Sequence, residues 1–591
     1  MYNNHSYEVI KSTLDHIISI LIQNGILSKQ VEFSVTKTKD LSHGSYTTNL
    51  VLVATKYSTL KDHALADEIV LMFSNFKVPY LDKIEISKHG FINFFLVEDQ
   101  KYLVINDILE QTNEFGKSEI NKNKMINVEF VSANPTSSLH VGHGLGAAYG
   151  MTISNLLECT GAKVDREYYV NDAGRQMDIL ATSVFLRYLE LCNYKLTFPK
   201  NAYQGDYVKD IAQKIYNQYN YTFIINPESI FKNVPEDVQY DENKNVISGD
   251  KEKHIDGLIA NSKSFLLEGY KIFHNLALST ILDDIKLDLS EFHVNFNKWF
   301  SESSLSNKIE EVMTILSEKD LLHTTEDGNI WFKSSKFGDE KDRVIKRGNG
   351  QYTYFASDIA YHLDKLERGY DQIINVWGSD HHGYINRVKA AITALGYDSN
   401  KLTILLVQFV NLIKDGKIVQ MSSRSGQFIE LKDLRKDVGN DAARYYYVSR
   451  KSEQHIDFDL DLAISQSKDN DVYYIQYAHA RINSILEKSN LILDNVDYSY
   501  LCADVESKIL VKLSDYNDII IKSATNYEPH LMCNYLKELA SLFHYWYNSN
   551  KINDVNNINL SRARLSLAAC VKQVLKNGLA IMNISALDKM Y

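Results

Sequence analysis

Between Met125 and Arg450 short apolar runs alternate with longer segments of helical period: Ile126–Val131 then Leu145–Cys159, Val164–Val170 then Gln176–Leu189, and Gln372–Trp377 then Ile385–Leu395. Such alternation predicts a parallel sheet covered by helices, with ligands bound beyond the carboxyl ends of the strands. Upstream the pattern is mixed. A helical stretch over Val9–Ile26 is followed by β-like runs at Leu50–Ala54 and Phe91–Leu96, then by the polar, Lys/Asn-rich connector Lys117–Lys124. Residues 1–115 therefore read as a small α+β domain. After Asp461 the pattern turns helical, as in Leu565, Ala568, Val571, Leu575 and Leu579, with Gly578 as a terminating residue. The divisions are 1–115, 122–455 and 456–591. Within the second, the Asn/Asp/Lys-rich stretch at 200–256 lacks sustained periodicity and reads as a surface insertion with no chemistry of its own.

Composition narrows the function classes. A chain of 591 residues, 45% hydrophobic, has room for roughly three to five domains with buried cores. A formal net charge of −11 argues against wholesale electrostatic capture of nucleic acid, so an RNA partner is met through local patches, shape and unstacked bases. The amino terminus has no basic region followed by an apolar run, and no stretch reaches the roughly 18 apolar residues of a membrane span, so the cytoplasm is the expected compartment. The five cysteines, Cys159, Cys192, Cys502, Cys533 and Cys570, form no CxxC pair. Buried free thiols are expected at all five, with neither a disulfide framework nor a cysteine zinc site.

The richest stretch is Asn127–Met151, NVEFVSANPTSSLHVGHGLGAAYGM, in which an apolar strand runs through Asn134-Pro135 into His140-Val141-Gly142-His143 and a Gly/Ala-rich helix. Unpaired N–H groups and the positive end of a helix dipole make such a turn a phosphate site. The imidazoles of His140 and His143 can donate to phosphate oxygens, while Gly142 allows a base or ribose to approach the backbone. Two plainer readings compete: histidines three apart that share a helix face, and a dinucleotide fingerprint at Gly142, Gly144 and Gly146. The second fails because these glycines lie inside the helix and not in the turn before it. The stretch resembles the HIGH signature of class I aminoacyl-tRNA synthetases, and in detail that of the arginyl enzymes.

Further segments carry the same resemblance in family order. HGSYTTN (His43–Asn49) and HGFINFFL (His89–Leu96) resemble the N-terminal domain of bacterial arginyl enzymes, which in that family leans on the tRNA elbow. DAARYYYVS (Asp441–Ser449), DVYYIQYAHARINSIL (Asp471–Leu486), FHYWYN (Phe543–Asn548) and VLKNGL (Val574–Leu579) resemble the anticodon-binding domain. Most of their aromatic residues are expected to pack in the core, leaving Tyr473, Tyr477, His479 and Tyr545 as candidate stacking platforms.

GKIVQMSSRSG (Gly416–Gly426) resembles the mobile KMSKS loop but lacks both lysines. Gln420 and Ser423 occupy their places around Met421 and Ser422, and Arg424, a permanent cation with forked donors, is the expected replacement; Lys414 or Lys417 could also reach from the preceding hairpin. WGSDHHGY (Trp377–Tyr384) resembles the segment closing the ATP pocket, with Gly378, Asp380 and His381 as nucleotide contacts. A zinc site at His381-His382 is not expected, since consecutive strand residues point to opposite faces and no Cys/His cluster lies nearby.

A guanidinium substrate needs planar carboxylate acceptors. WFSESSL (Trp299–Leu305) and YTYFASDIAYHLDK (Tyr352–Lys365) resemble the family's arginine-binding segments, which carries Glu302, Tyr354 and Asp358 over as recognition residues, the last two on one face if the stretch is helical. By the same resemblance Ser132 and Asn134 hold the α-amino and carboxylate groups. Asp172 and Gln176, in VNDAGRQMD (Val170–Asp178), line the pocket, with a helix cap as the alternative for Asp172.

The resemblance implies a Rossmann-like α/β catalytic domain between an N-terminal α+β domain and a C-terminal all-helical anticodon-binding domain. It implies an enzyme that uses ATP, with Mg2+ accompanying the nucleotide, to form arginyl-adenylate and pass arginine to the 2′-hydroxyl of its tRNA, often requiring tRNA even for the first step. A monomer is expected. Two alternatives stand beside it: a catalytically silent tRNA-binding relative, suggested by the lost lysines, and a class I synthetase for another amino acid such as cysteine. The Glu302/Asp358 pair and the scattered cysteines disfavour the latter.

Overall fold

The structure is a computed structural model that describes residues 2–38, 43–76, 78, 81–97, 101–243, 245–419 and 429–590. Among the described residues the central sheet has five parallel strands, ordered Leu402–Val407, Gln372–Gly378, Met125–Glu129, Lys163–Val170 and Lys298–Ser301. The strand expected over Ile126–Val131 stops at Glu129. Val131 and Ser132 adopt left-handed φ angles of 68° and 41°, which turn the chain out of the ladder. Where the sequence suggested a helix from Leu145, the helix already begins at Val141, because His140 caps it.

Strand alternation divides the sheet chemically. Ile126, Val128 and Phe130 face the main apolar core with the Val141–Cys159 helix. Asn127 and Glu129 point the other way and are buried; Glu129 is in register with Glu167 and Asn375, Asn127 donates to Glu167 at 3.2 Å, and the Tyr354–Glu367 helix brings Lys365 to this face. There Lys365 reaches Glu129 at 2.6 Å and Asn375 at 2.9 Å, while Arg368 grips Glu167 through two contacts of 2.5 and 2.9 Å. Paired in this way, Glu167 is held down at about 2 by Arg368 and Lys365 against the opposing effect of burial.

Four expectations are corrected here. Leu50–Ala54 is a helical turn and not a strand; Leu50, Val51 and Ala54 are buried, which is helical spacing, and an apolar run this short cannot be typed by period. The 200–256 stretch contains the helix Asp206–Tyr219, whose Val208, Ile211, Ala212 and Ile215 are buried against the Arg175–Leu191 helix and the main core. Gly578 lies inside the Ile558–Ile581 helix, where a Cβ would meet Leu536 at 2.5 Å, so it serves close packing and terminates nothing. Of the cysteines, Cys192, Cys533 and Cys570 are buried, Cys159 is half-buried and Cys502 is exposed.

The N-terminal region folds a helix, Tyr2–Gln23, onto an antiparallel sheet ordered Val35–Lys37, Tyr46–Thr48, Ile92–Leu96 and Leu81–Ile86, with an apolar core of its own. The C-terminal region is a helical bundle: Asp471–Glu487, Asp504–Ser514, Tyr516–Asn526, His530–Ser549 and Ile558–Ile581. Tyr545 is 65% exposed on it, whereas His479 is buried with Nδ1 on the Leu587 carbonyl and is no stacking platform.

Candidate active site

The loops that follow four neighbouring strands converge beyond their carboxyl ends, and nearly all the singled-out residues lie on them. His140 is the N-cap of its helix. Its Nδ1 accepts from the Gly142 N–H at 3.1 Å, and the Nδ1 of His143 accepts from the His140 N–H at 3.2 Å, a reciprocal capping box made of two imidazoles. The rings stack at 3.6 Å between centroids. With Nδ1 accepting, each neutral ring carries its proton on Nε2. Burial lowers the proton affinity of His140, and burial and the neighbouring His140 push His143 down to about 3, so both act as neutral donors.

This changes the phosphate argument. The first-turn amides are engaged: Val141 donates to Ile429 O, Gly142 to His140 Nδ1, and His143 and Gly144 to His140 O. Imidazole donors and the helix dipole, and not open backbone N–H groups, are what this turn presents. At Gly142 a Cβ would lie 2.9 Å from His140 Cε1, so the space of the missing side chain is taken by the capping ring.

Gln420, Met421, Ser422, Ser423 and Arg424 lie outside the described residues. Their downstream flank is fixed beside the histidines: His140 pairs antiparallel with Glu430, and Leu431 N donates to Leu139 O at 2.8 Å. Upstream, Lys414 and Lys417 pair across the exposed Asp415-Gly416 turn of a hairpin. Gly378 ends its strand, and a Cβ there would lie 2.5 Å from Asp380 Oδ1. Asp380 and His381 are exposed and 3.6 Å apart on a tight 3-10 turn, Ser379–Tyr384; the strand geometry assumed for His381-His382 is therefore corrected. Among the described residues no three His, Cys, Asp or Glu side chains are grouped to share a metal ion.

Beside this stands an acidic chamber. Glu302, 8% exposed, opens a short 3-10 turn, and Asp358 lies one helical turn beyond the exposed Tyr354 on the Tyr354–Glu367 helix, so the two residues do share a face. Burial, with the charges of Asp358 and Asp172, pushes Glu302 up to about 7 despite hydrogen bonds from Ser357 and Tyr169. Asp358 is raised to about 6 by burial and Glu129, although Tyr384 donates to it at 2.5 Å and the charge of Arg387 opposes the rise. Tyr169, facing Glu302, Asp358, Glu129 and Asp172, is driven far above the usual phenol range. Among the described residues Glu302 and Asp358 form no ion pair with Lys or Arg. Arg387 is stacked on the ring of Tyr384 at 4.4 Å, so the carboxylates themselves are left to pair with a planar cation from outside.

The supporting residues have clear tasks. Ser132 Oγ donates to Glu129 at 3.0 Å and accepts from Tyr169 N at 3.0 Å, tying two strand ends together. Asn134 is exposed and lies 3.0 Å from the Asn171 amide. Asp172 caps the turn that carries Glu302, accepting from Ser301 Oγ at 2.5 Å and Ser303 N at 2.9 Å. Gln176 points away and accepts from Tyr203 of the 200–256 stretch at 2.8 Å. Sequence reasoning missed Glu129, Glu167, Lys365 and Asn375. The available signal was the polar alternation of Asn127 and Glu129 inside an otherwise apolar strand.

A parallel sheet whose first helix is capped by the His140–His143 pair, with the anchored flank of a polar loop beside it, defines a catalytic domain of the class I tRNA synthetase type. Residues 104–461 match the family described as tRNA synthetases class I (R), catalytic domain; residues 8–96 match the arginyl tRNA synthetase N terminal domain and 475–590 the DALR anticodon binding domain. An arginine–tRNA ligase of Acinetobacter baumannii (strain AYE) is 58% identical, covering 98% of this chain and 99% of its own, and one of Psychrobacter cryohalolentis is 52% identical, covering 99% of each. The fold is similar to that of Thermus thermophilus arginyl-tRNA synthetase, with a TM-score of 0.70 at 19% identity over 99% of this chain and 100% of that one. The chain belongs to the arginyl-tRNA synthetase family.

Proposed function

We propose that this chain attaches L-arginine to its tRNA with ATP, through an arginyl-adenylate. The observation that carries the reading is the acidic chamber: the buried Glu302 and the half-buried Asp358, raised to about 7 and 6, with neither in an ion pair among the described residues and Arg387 reaching Asp358 only through its field. A guanidinium there satisfies both carboxylates and relieves their repulsion, whereas a neutral amino acid leaves it in place. Tyr354 closes over the side chain, and Ser132 and Asn134 meet the α-amino and carboxylate groups.

The arginine carboxylate then attacks the α-phosphorus, and charge builds on the phosphate oxygens. His140 and His143 donate to them from Nε2, and Arg424 in the Gln420–Ser423 segment supplies the cation. Gly142, Met421, Gly378, Asp380 and His381 hold the adenosine and ribose. Mg2+ would accompany the nucleotide and would offset phosphate charge there. Residues 1–115 approach the tRNA elbow, 122–455 carry the chemistry, with 200–256 as an elaboration of it, and 456–591 read the anticodon. The working form is a cytoplasmic monomer.

Incubating the full chain with ATP, tRNA and each amino acid in turn tests this. Charging with arginine alone supports it. Charging with another amino acid, or tRNA binding without any charging, overturns it.

A further inference from the structure

The helix Asn440–Val448 touches both the catalytic turn and the end of the bundle. At one end Asp441 accepts from Ser585 N at 3.1 Å and from Gln476 Nε2 at 2.8 Å. Arg444, fully buried, donates to Met582 O at 2.6 Å and to Phe292 O at 2.7 Å. These carbonyls cap the Ile558–Ile581 and Glu268–Glu291 helices, so the guanidinium lies where the negative ends of two helix dipoles meet. At the other end the buried hydroxyl of Tyr447 donates at 2.7 Å to the carbonyl of Val141, the residue between the His140 cap and Gly142. Gly144 makes room for it, since a Cβ there would lie 2.8 Å from Tyr447 Oη.

A shift of the bundle's last turn cannot easily leave Arg444 behind. Separation takes the Met582 acceptor from a buried guanidinium and leaves it the Phe292 carbonyl, so it costs less for the nine-residue helix to follow. Six residues separate Asp441 from Tyr447, about 9 Å of helix, and the hydroxyl delivers the shift to the turn that aims the two imidazoles.

We propose that Tyr447 is a positioning residue for amino acid activation, and that the Asn440–Val448 helix carries displacement of the anticodon-binding bundle to the His140–His143 turn. The inference rests on the proposed arginine-charging activity. It assigns no contact between Tyr447 and substrate.

The test uses the full chain with tRNA for arginine and arginine-dependent ATP–pyrophosphate exchange. Tyr447→Phe keeps the ring and removes the donor; kcat is expected to fall about tenfold while KM for arginine and the thermal midpoint hold. Asp441→Asn loosens the far grip. Sites about 9 Å apart on one helix act independently unless coupled, so the double variant is expected to lose less than the product of the single losses. An unchanged kcat in Tyr447→Phe, a parallel rise in KM with loss of stability, or strictly multiplicative losses overturns the proposal. If Tyr447→Phe does not fold, Asp441→Asn decides: lowered kcat with unchanged tRNA affinity supports it, and unchanged kcat overturns it. A wild-type chain that fails to charge arginine would instead remove the activity on which the inference rests.

Discussion

The histidine turn and the acidic chamber sit side by side beyond the same sheet, yet they are finished to different degrees. The turn is internally satisfied: its amides are paired, its imidazoles cap one another and both are neutral. The chamber is internally opposed, with carboxyls whose proton affinities are raised by burial first and by neighbouring carboxylates second. The difference teaches how each side meets its ligand. Donors for a developing charge are useful when already aimed, with no reorganisation at the moment of reaction. A pocket for a permanent cation gains selectivity by being unfavourable until that cation arrives.

The largest expected effect breaks the acidic side. Glu302→Gln keeps shape and removes charge, and kcat/KM for arginine is expected to fall by about 10³, as for loss of one partner from a buried charge pair. Exchange kinetics check it, and an unchanged KM for arginine would show that Glu302 does not meet the guanidinium. Next comes Arg424→Ala, expected to slow activation about 10²-fold while arginine binding barely changes, because its charge matters as the phosphate oxygens gain theirs. Equal losses in rate and binding would remove Arg424 from that role.

His140→Asn sharpens the other side. Asparagine can still accept from the helix amides, so stability is expected to drop by less than about 1 kcal/mol while the activation rate falls more than about tenfold. A denaturant titration beside the kinetics checks this, and equal sensitivity of the two would reduce His140 to a cap.

The smallest effect is titration. Without arginine, Glu302 and Asp358 take up protons near 7 and 6. A bound guanidinium keeps them ionised, so binding must displace those protons, and arginine affinity is expected to weaken about tenfold between pH 8 and pH 6. The stability of the empty protein runs the opposite way. A carboxyl whose folded value lies above its unfolded one destabilises the fold at high pH, and that penalty fades as pH falls through 7 toward 4.5, the ordinary value for Glu302. Calorimetric titration at several pH values measures the binding arm; a flat profile would contradict the raised carboxyls.

Much of the architecture was legible because period and order are local properties. The Ile385–Leu395 helix has the bounds its pattern predicted, and the apolar runs at 126, 164 and 372 are neighbouring parallel strands. Leu50–Ala54 failed for want of length. The helix Asp206–Tyr219 failed because Asn, Asp and Lys on its outer face hid four apolar residues at helical spacing. At the site, the sequence alone determined which chemical groups exist and in what order: the paired histidines, the glycines that admit close neighbours, the acidic residues and the arginine in a loop that lacks both motif lysines. Tertiary structure decided what each group is. Burial and a capping bond make the histidines neutral donors, burial first and neighbouring carboxylates second raise Glu302 and Asp358 above the ordinary carboxyl range, and a turn 131 residues away makes Asp172 the cap beneath Glu302. Those properties depend on distance and on exclusion of water, which arise only when segments far apart in the chain are packed together.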